Sequence, residues 1–408
     1  MLGIKNTFLE RRQLRIVFGI CLFSFIIRLI VSLNINAKAW PDSEAYISIA
    51  NSLASGQGYK LNADNGFAEY RAPFYPFLLA VVYKFFGNND LIIQSLQCLL
   101  GAVICWLVYA IGKYLFNSIV GLLASIITAI DPFLVYIAGI LLTEQLFIFF
   151  LVLAIYLLIR SKENLGYTWI LGSGIILGLA VLTRPTALIF IPFCGLYILM
   201  QWEFQWKKRL IMTATLMVFI FLTICPWTIR NYVKYRELII ISTAAGLNFY
   251  LGNNSLAKAS DYDATFAAKP DDLESLLSSA STPKAKENVY TRYTINWIKN
   301  NPGRFISLYF QKFVNFWRVT PDHVTNIYKS VWVAFLSAAI LILLYLLAIL
   351  GIWKSRHFWR CLIILYFILL SFPLGLSLFV TSPRFRIPLD PILILFSAYT
   401  LNSNNSNH

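Results

Sequence analysis

The sequence predicts an all-α, polytopic membrane protein of about ten transmembrane helices. Three observations carry this. Of 408 residues, 58% are hydrophobic and only 13% are charged, whereas a soluble chain needs far more polar surface. Several apolar runs approach or exceed the ~20 residues that cross a bilayer. The loops between runs carry Lys and Arg at every second turn, as membrane topology requires. The net charge of +15 is therefore assigned largely to topology, and no nucleic-acid partner is expected.

Each span follows from hydropathy, and its direction from the basic loops. Lys5, Arg11, Arg12 and Arg15 put the N-terminus in the cytoplasm. Span one covers about 16–34, long enough to stay in the membrane rather than be cleaved. Residues 35–72 form an outer loop. Residues 73–86 are apolar but too short to cross, so they read as tilted or interfacial. A full span there would flip every later loop and put the basic clusters outside. Spans near 91–112, 118–137 and 146–159 follow, with Lys113, Arg160 and Lys162 inside. Two short segments, 168–183 and 186–200, meet outside at Arg184-Pro185 and end inside at Lys207-Lys208-Arg209. A span near 210–227 leads to a polar outer segment, 230–329, with an acidic and Ser-rich middle at 258–287 expected to be mobile. Spans near 331–352, 358–380 and 387–400 complete the chain, with both termini cytoplasmic. The domain reading is a transmembrane core over 1–229, the extracytoplasmic segment 230–329, and C-terminal transmembrane helices over 330–408.

This topology gathers charge on one side. Asp42, Glu44, Arg71, Glu144, Arg184, Arg230, Arg384 and Arg386 all fall on the outer face. In W-P-D-S-E-A-Y, Asp42 is either a helix N-cap with Glu44 in the first turn, or a carboxylate presented at the bilayer surface to take a proton. A short helix is expected here, since Ile47, Ala50, Leu53 and Ala54 recur at helical spacing. Tyr46 closes the same motif and joins the substrate-binding set. Arg71, in R-A-P-F-Y-P, reads as an interfacial anchor or a phosphate clamp, because a guanidinium fork matches phosphate oxygens. Glu144 sits between two apolar runs, where an acid is costly unless it is functional or paired. Arg184 and Arg230 stand at Pro-containing corners, as helix-end anchors or substrate contacts. Arg384 and Arg386 lie outside against the positive-inside bias, which favours an anionic partner.

Other chemistry finds little support. His323, His357 and His408 form no metal-ligand spacing. The six cysteines lie in or beside apolar runs, so no structural disulfide is expected. Asp261-Tyr262-Asp263 fits a D-x-D pattern, but it lies outside, where nucleotide sugars are not expected. No Walker loop, G-x-S-x-G, H-E-x-x-H or dinucleotide fingerprint occurs. Metal dependence stays open: Asp42 and Glu44 could ligate a divalent cation, with too few further ligands evident.

The ordered pieces P-D-S-E-A-Y, A-N-S-L-A-S-G-Q-G-Y, R-A-P-F-Y-P, T-E-Q-L-F, G-L-A-V-L-T-R-P, C-P-W-T-I-R-N-Y and R-F-R-I-P-L-D-P resemble the GT-C glycosyltransferases. The resemblance is to the protein O-mannosyltransferase-like and lipid A aminoarabinose transferase-like group, which use polyprenyl-phosphate sugars. It implies a GT-C architecture with interfacial helices in the first outer loop. It also implies an inverting transferase at the outer face of a bacterial plasma (inner) membrane. Asp42 would be the base, with Glu44 and Glu144 as further catalytic acids. Arg71, Arg184, Arg230, Arg384, Arg386 and Tyr46 would contact substrate. The donor would be a polyprenyl-phosphate sugar among membrane lipids, and the acceptor an unknown glycan, lipid or protein. Arg71 stands where the group often has Lys-Pro-Pro, with Ala72 departing from it, and Glu144 stands where relatives often carry Asp. The rival reading is a flippase or transporter of an anionic lipid or glycan, needing the arginines but no base. The absence of a strong internal repeat weighs against it.

Overall fold

The computed structural model describes residues 2–61, 67–163, 166–259, 270–320 and 331–403, with backbone alone for 2–10 and 331–334. Asp261, Asp263, His323 and His408 lie outside the described residues. Every regular element among the described residues is helical.

Among the described residues, six helices are long and apolar enough to cross a membrane. They are α1 (Leu2–Leu33, apolar from Arg11), α4 (Asp90–Leu115), α8 (Gly166–Thr183), α10 (Trp206–Tyr235), α15 (Val331–Lys354) and α16 (Trp359–Leu376). α5 (Ser118–Ile130) and α6 (Pro132–Ala138), bent by 55°, reach that length only together, as one broken span or a re-entrant pair. The other expected spans are shorter helices: α7 (Glu144–Arg160), α9 (Ile191–Leu199, preceded by a 3₁₀ turn from Pro185) and α17 (Asp390–Ser403, preceded by a 3₁₀ turn over Pro383–Leu389). Pro132, Pro185 and Pro383 open the segments after three of the breaks, in the first turn where a missing amide donor costs little.

The segment after α1 folds as α2 (Pro41–Ala54) packed on α3 (Phe74–Phe86). Pro41 opens α2 at its first helical position, with Trp40 as N-cap, so Asp42 is not the cap. Its carboxylate is thereby left for other partners. Phe77, Val81 and Phe85 form an exposed apolar stripe along α3, the pattern of a helix lying in the interface.

The break between α5 and α6 is well satisfied. Asp131 accepts hydrogen bonds from the Phe133 and Leu134 amides at 3.0 and 2.9 Å, capping α6. Arg28, buried in α1, donates to the Thr128 and Ala129 carbonyls at 2.8 and 3.0 Å. Past α6, Gln94 of α4 donates to the Gly139 carbonyl (2.8 Å), and Gln97 donates to those of Ala138 (3.0 Å) and Ile140 (2.7 Å). Irregular backbone at membrane depth requires such partners. Together these bonds fix the segment that delivers Glu144.

Helix contacts use small residues, since burial against lipid supplies little driving force. A Cβ on Gly112 would lie 2.8 Å from the Gly121 Cα, so α4 and α5 meet backbone to backbone. Residues 236–259 and 270–320 contribute further helices. These are α11 (Ala244–Gly252), α12 (Asp271–Ser279), α13 (Pro283–Asn300) and α14 (Pro302–Phe316). Leu273 and Leu277 of α12 pack with Tyr250, Leu251 and Tyr290. The part of 258–287 that is described thus contains an ordered amphipathic helix where mobility was expected.

The bundle has two distinct ends. At one, Asp42, Glu144 and Arg384 meet. At the other, Lys162 pairs with Glu203 at 3.0 Å, and Phe116 stacks on Tyr399 at 4.8 Å.

Candidate functional site

The start of α2, the start of α7 and the turn before α17 converge on one cluster. Asp42 is held on both oxygens: Oδ1 lies 2.8 Å from Arg71 Nη2, and Oδ2 accepts a hydrogen bond from Arg384 Nη2 at 2.9 Å. Arg384 also turns its Nε to Glu144 Oε1 at 3.0 Å, and Arg184 Nη1 reaches the same oxygen at 2.6 Å. The Glu144 contacts are close charge pairs rather than aligned hydrogen bonds. Glu144 is 1% exposed, whereas Asp42 and Arg71 keep 31% and 33% of their side-chain surface. The cluster therefore has a buried floor and an open mouth.

Aromatic rings orient the guanidiniums. Arg384 lies over Trp40 at 4.5 Å, Arg71 over Tyr46 at 5.3 Å, and Arg184 over Phe385 at 5.3 Å. Tyr46 is buried and meets Tyr75 edge-on at 5.3 Å. Tyr75 in turn donates its hydroxyl proton to Gln97 Oε1 at 2.8 Å. A continuous chain of contacts thus ties Arg71 to the same α4 glutamine that holds the segment before Glu144. Tyr59 fixes Arg71 from the other side by donating to its carbonyl at 2.9 Å.

Burial alone would raise the Asp42 pKa. The Arg384 and Arg71 charges overcome this and hold it well below the usual carboxylate range. Three guanidiniums (Arg71, Arg184, Arg384) against two carboxylates (Asp42, Glu144) leave one positive charge in the cluster. That surplus suits a monoanion such as a phosphodiester. The cation that spans Asp42 and Glu144 is itself a guanidinium. No three His, Cys, Asp or Glu side chains gather as a metal would require among the described residues.

Three sequence candidates stand apart. Glu44 is exposed and makes no ion pair among the described residues. Arg230 pairs with Glu69 at 2.9 Å, beside Lys234 at 3.1 Å, and lies over Trp227 at 4.7 Å. Arg386 is buried and faces Asp390 at 3.1 Å, between the Phe133 and Tyr345 rings. Two residues were not anticipated: Trp40, under Arg384, and Glu69, 1% exposed, which braces the turn just before Arg71. An acid buried in F-A-E-Y-R beside the Arg71 motif was the available signal for Glu69.

Known proteins share this architecture. Over 98% of the chain, the structure superposes on the oligosaccharyltransferase AglB from Archaeoglobus fulgidus, in complex with an inhibitory peptide and a dolichol-phosphate, with TM-score 0.63 and 13% identity. The fold is that of the GT-C glycosyltransferases. A second GT-C structure, ArnT from Cupriavidus metallidurans bound to undecaprenyl phosphate, matches 96% of the chain and 78% of its own, with TM-score 0.51 and 14% identity. Residues 70–229 match the family described as dolichyl-phosphate-mannose-protein mannosyltransferase. An uncharacterized protein of Aquifex aeolicus is 26% identical over 228 residues, 54% of this chain and 44% of that one. The chain spans about half the length of AglB and less than half of the Aquifex relative.

Proposed function

We propose that this GT-C chain moves a sugar from a polyprenyl-phosphate-linked donor to an acceptor on the extracytoplasmic face, with inversion at the anomeric carbon. The observation that carries this reading is the sharing of Asp42 between Arg71 and Arg384. A lipid-linked phosphodiester competes for those guanidiniums. As its oxygens take over the Arg71 and Arg384 donors, Asp42 loses the charges that suppress its basicity. The carboxylate then accepts the proton of the acceptor hydroxyl or amine as that group attacks the anomeric carbon. The glycosyl–oxygen bond breaks through an oxocarbenium-like state. The negative charge growing on the leaving phosphate is met by guanidiniums already in place. Arg184 supports this by holding Glu144, which in turn orients Arg384.

The exposed position of Glu44 suits contact with the acceptor or with solvent rather than proton transfer. The anionic-lipid transporter reading leaves the Asp42 clamp without a role. The test is purified protein in nanodiscs given a polyprenyl-phosphate hexose and candidate acceptors, scored by release of free polyprenyl phosphate. Acceptor-dependent release is expected. Donor that is bound, or moved between leaflets, without any cleavage would favour the transporter.

A further inference from the structure

A second site lies at the far end of the first outer helix pair. The C-terminal ends of α2 and α3 enclose an open cleft of about 500 Å³. This is within the size range of small-ligand pockets, but its lining is unusually polar. Asn51, Ser55 and Gln57 come from α2 and its following turn, and Tyr83, Lys84 and Asn88 from α3 and its following turn.

Tyr83 closes the inner wall of the cleft. Its side chain is 94% buried in the cleft wall, with 6% exposed, and its hydroxyl has no hydrogen-bond partner among the described residues. A buried hydroxyl left unpaired is costly, and native structures rarely keep one without a partner. The chain leaves both helices through glycine turns. Gly56 and Gly87 take left-handed backbone conformations (φ 78° and 70°), with open space where a Cβ would point.

The chemistry of the wall selects the ligand. Amides and hydroxyls both donate and accept hydrogen bonds, as a partner rich in hydroxyls demands. Both helices direct their C-terminal, partially negative ends at the cleft, which disfavours an anion. Lys84 is the single cationic side chain of the lining, in contrast to the three guanidiniums of the Asp42 cluster. We infer that this cleft binds a neutral saccharide. Asp42 lies nine residues back along α2, about 14 Å at the helical rise. That is a suitable separation for the remote sugars of an oligosaccharide acceptor whose reacting end sits at Asp42. This acceptor role rests on the transferase reading; the binding itself does not.

The test is ligand-observed saturation-transfer NMR on the full chain in nanodiscs. The probes are neutral trisaccharides of mannose, of N-acetylglucosamine and of galactose, with inorganic phosphate as competitor. At least one trisaccharide should bind, and phosphate should not displace it. Gln57→Ala with Asn88→Ala changes only exposed turn residues and should weaken binding about tenfold. Asp42→Asn should leave binding intact. Binding that disappears in the Gln57/Asn88 variant while no condition yields sugar transfer would keep the cleft and reject the transferase. Absence of binding by all three probes, equal binding by the Gln57/Asn88 variant, or displacement by phosphate would overturn the inference.

Discussion

Arg384 and Asp42, 342 residues apart in the chain, meet at 2.9 Å. The contact joins α2 to the turn before α17. Through its Nε, the same guanidinium reaches Glu144. Arg384→Ala should therefore remove a phosphate donor and loosen two carboxylates at once. We expect kcat/KM for the lipid donor to fall at least about 10²-fold, the scale of losing one oxyanion donor. Arg384→Lys should recover only part, as a point charge without the fork. Initial rates against donor concentration check this; unchanged rates at low donor would contradict it.

Arg386 should behave differently. Its partner is Asp390, 0% exposed, one helical turn on. Arg386→Ala strands a buried carboxylate and should cost about 3–5 kcal/mol. Replacing both Arg386 and Asp390 by Leu should restore most of that. Thermal melts in detergent measure both variants. A selective rise in donor KM at unchanged stability would instead put Arg386 in the binding site.

The Asp42 clamp gives a pH signature. Free protein holds this carboxylate well below its usual range. Activity limited by a carboxylate is lost as pH falls through its pKa, so kcat/KM should show no acid limb across the ordinary Asp range. Bound donor draws the arginines away, and the acid limb of kcat should then lie at higher pH than that of kcat/KM. Coincident limbs would mean that the donor does not compete for Arg71 and Arg384.

Orientation is tested by labelling. The basic loops predict that the Asp42 end faces outward. In a cysteine-free background, Gln57→Cys should react with a membrane-impermeant maleimide on intact cells, and Lys207→Cys only after lysis. Both positions are exposed. The reverse pattern would invert the protein.

Much of this was legible in the residues. Long spans such as 90–115 announce themselves by sustained apolar length, and Arg384 by its expected place outside, against the charge bias. The shorter spans were harder. Pro132, Pro185 and Pro388 break them into pieces that hydropathy sums but length does not. Within the site, direction was the missing variable. Asp42 and Glu44 are two residues apart on a helix, about 200° around it, so only one can face the cluster; that could have been read from spacing. Arg384 and Arg386 sit in a 3₁₀ turn of three residues per turn, which points them about 240° apart. That conformation is not evident from the sequence. The Arg230–Glu69 pair spans 161 residues, and no local pattern reveals it.

The most direct measurement is sugar transfer by the Asp42→Asn protein, with purified chain, lipid donor and acceptor. The amide keeps the shape and most hydrogen bonding but cannot take a proton. With folding intact, the rate should fall by about 10²–10⁴-fold, the usual contribution of a general base. Glu44→Gln, on the exposed side of the helix, should cost far less. Near wild-type transfer by Asp42→Asn, with Glu44→Gln inactive, would move the base to Glu44. Full transfer by both variants would contradict the mechanism.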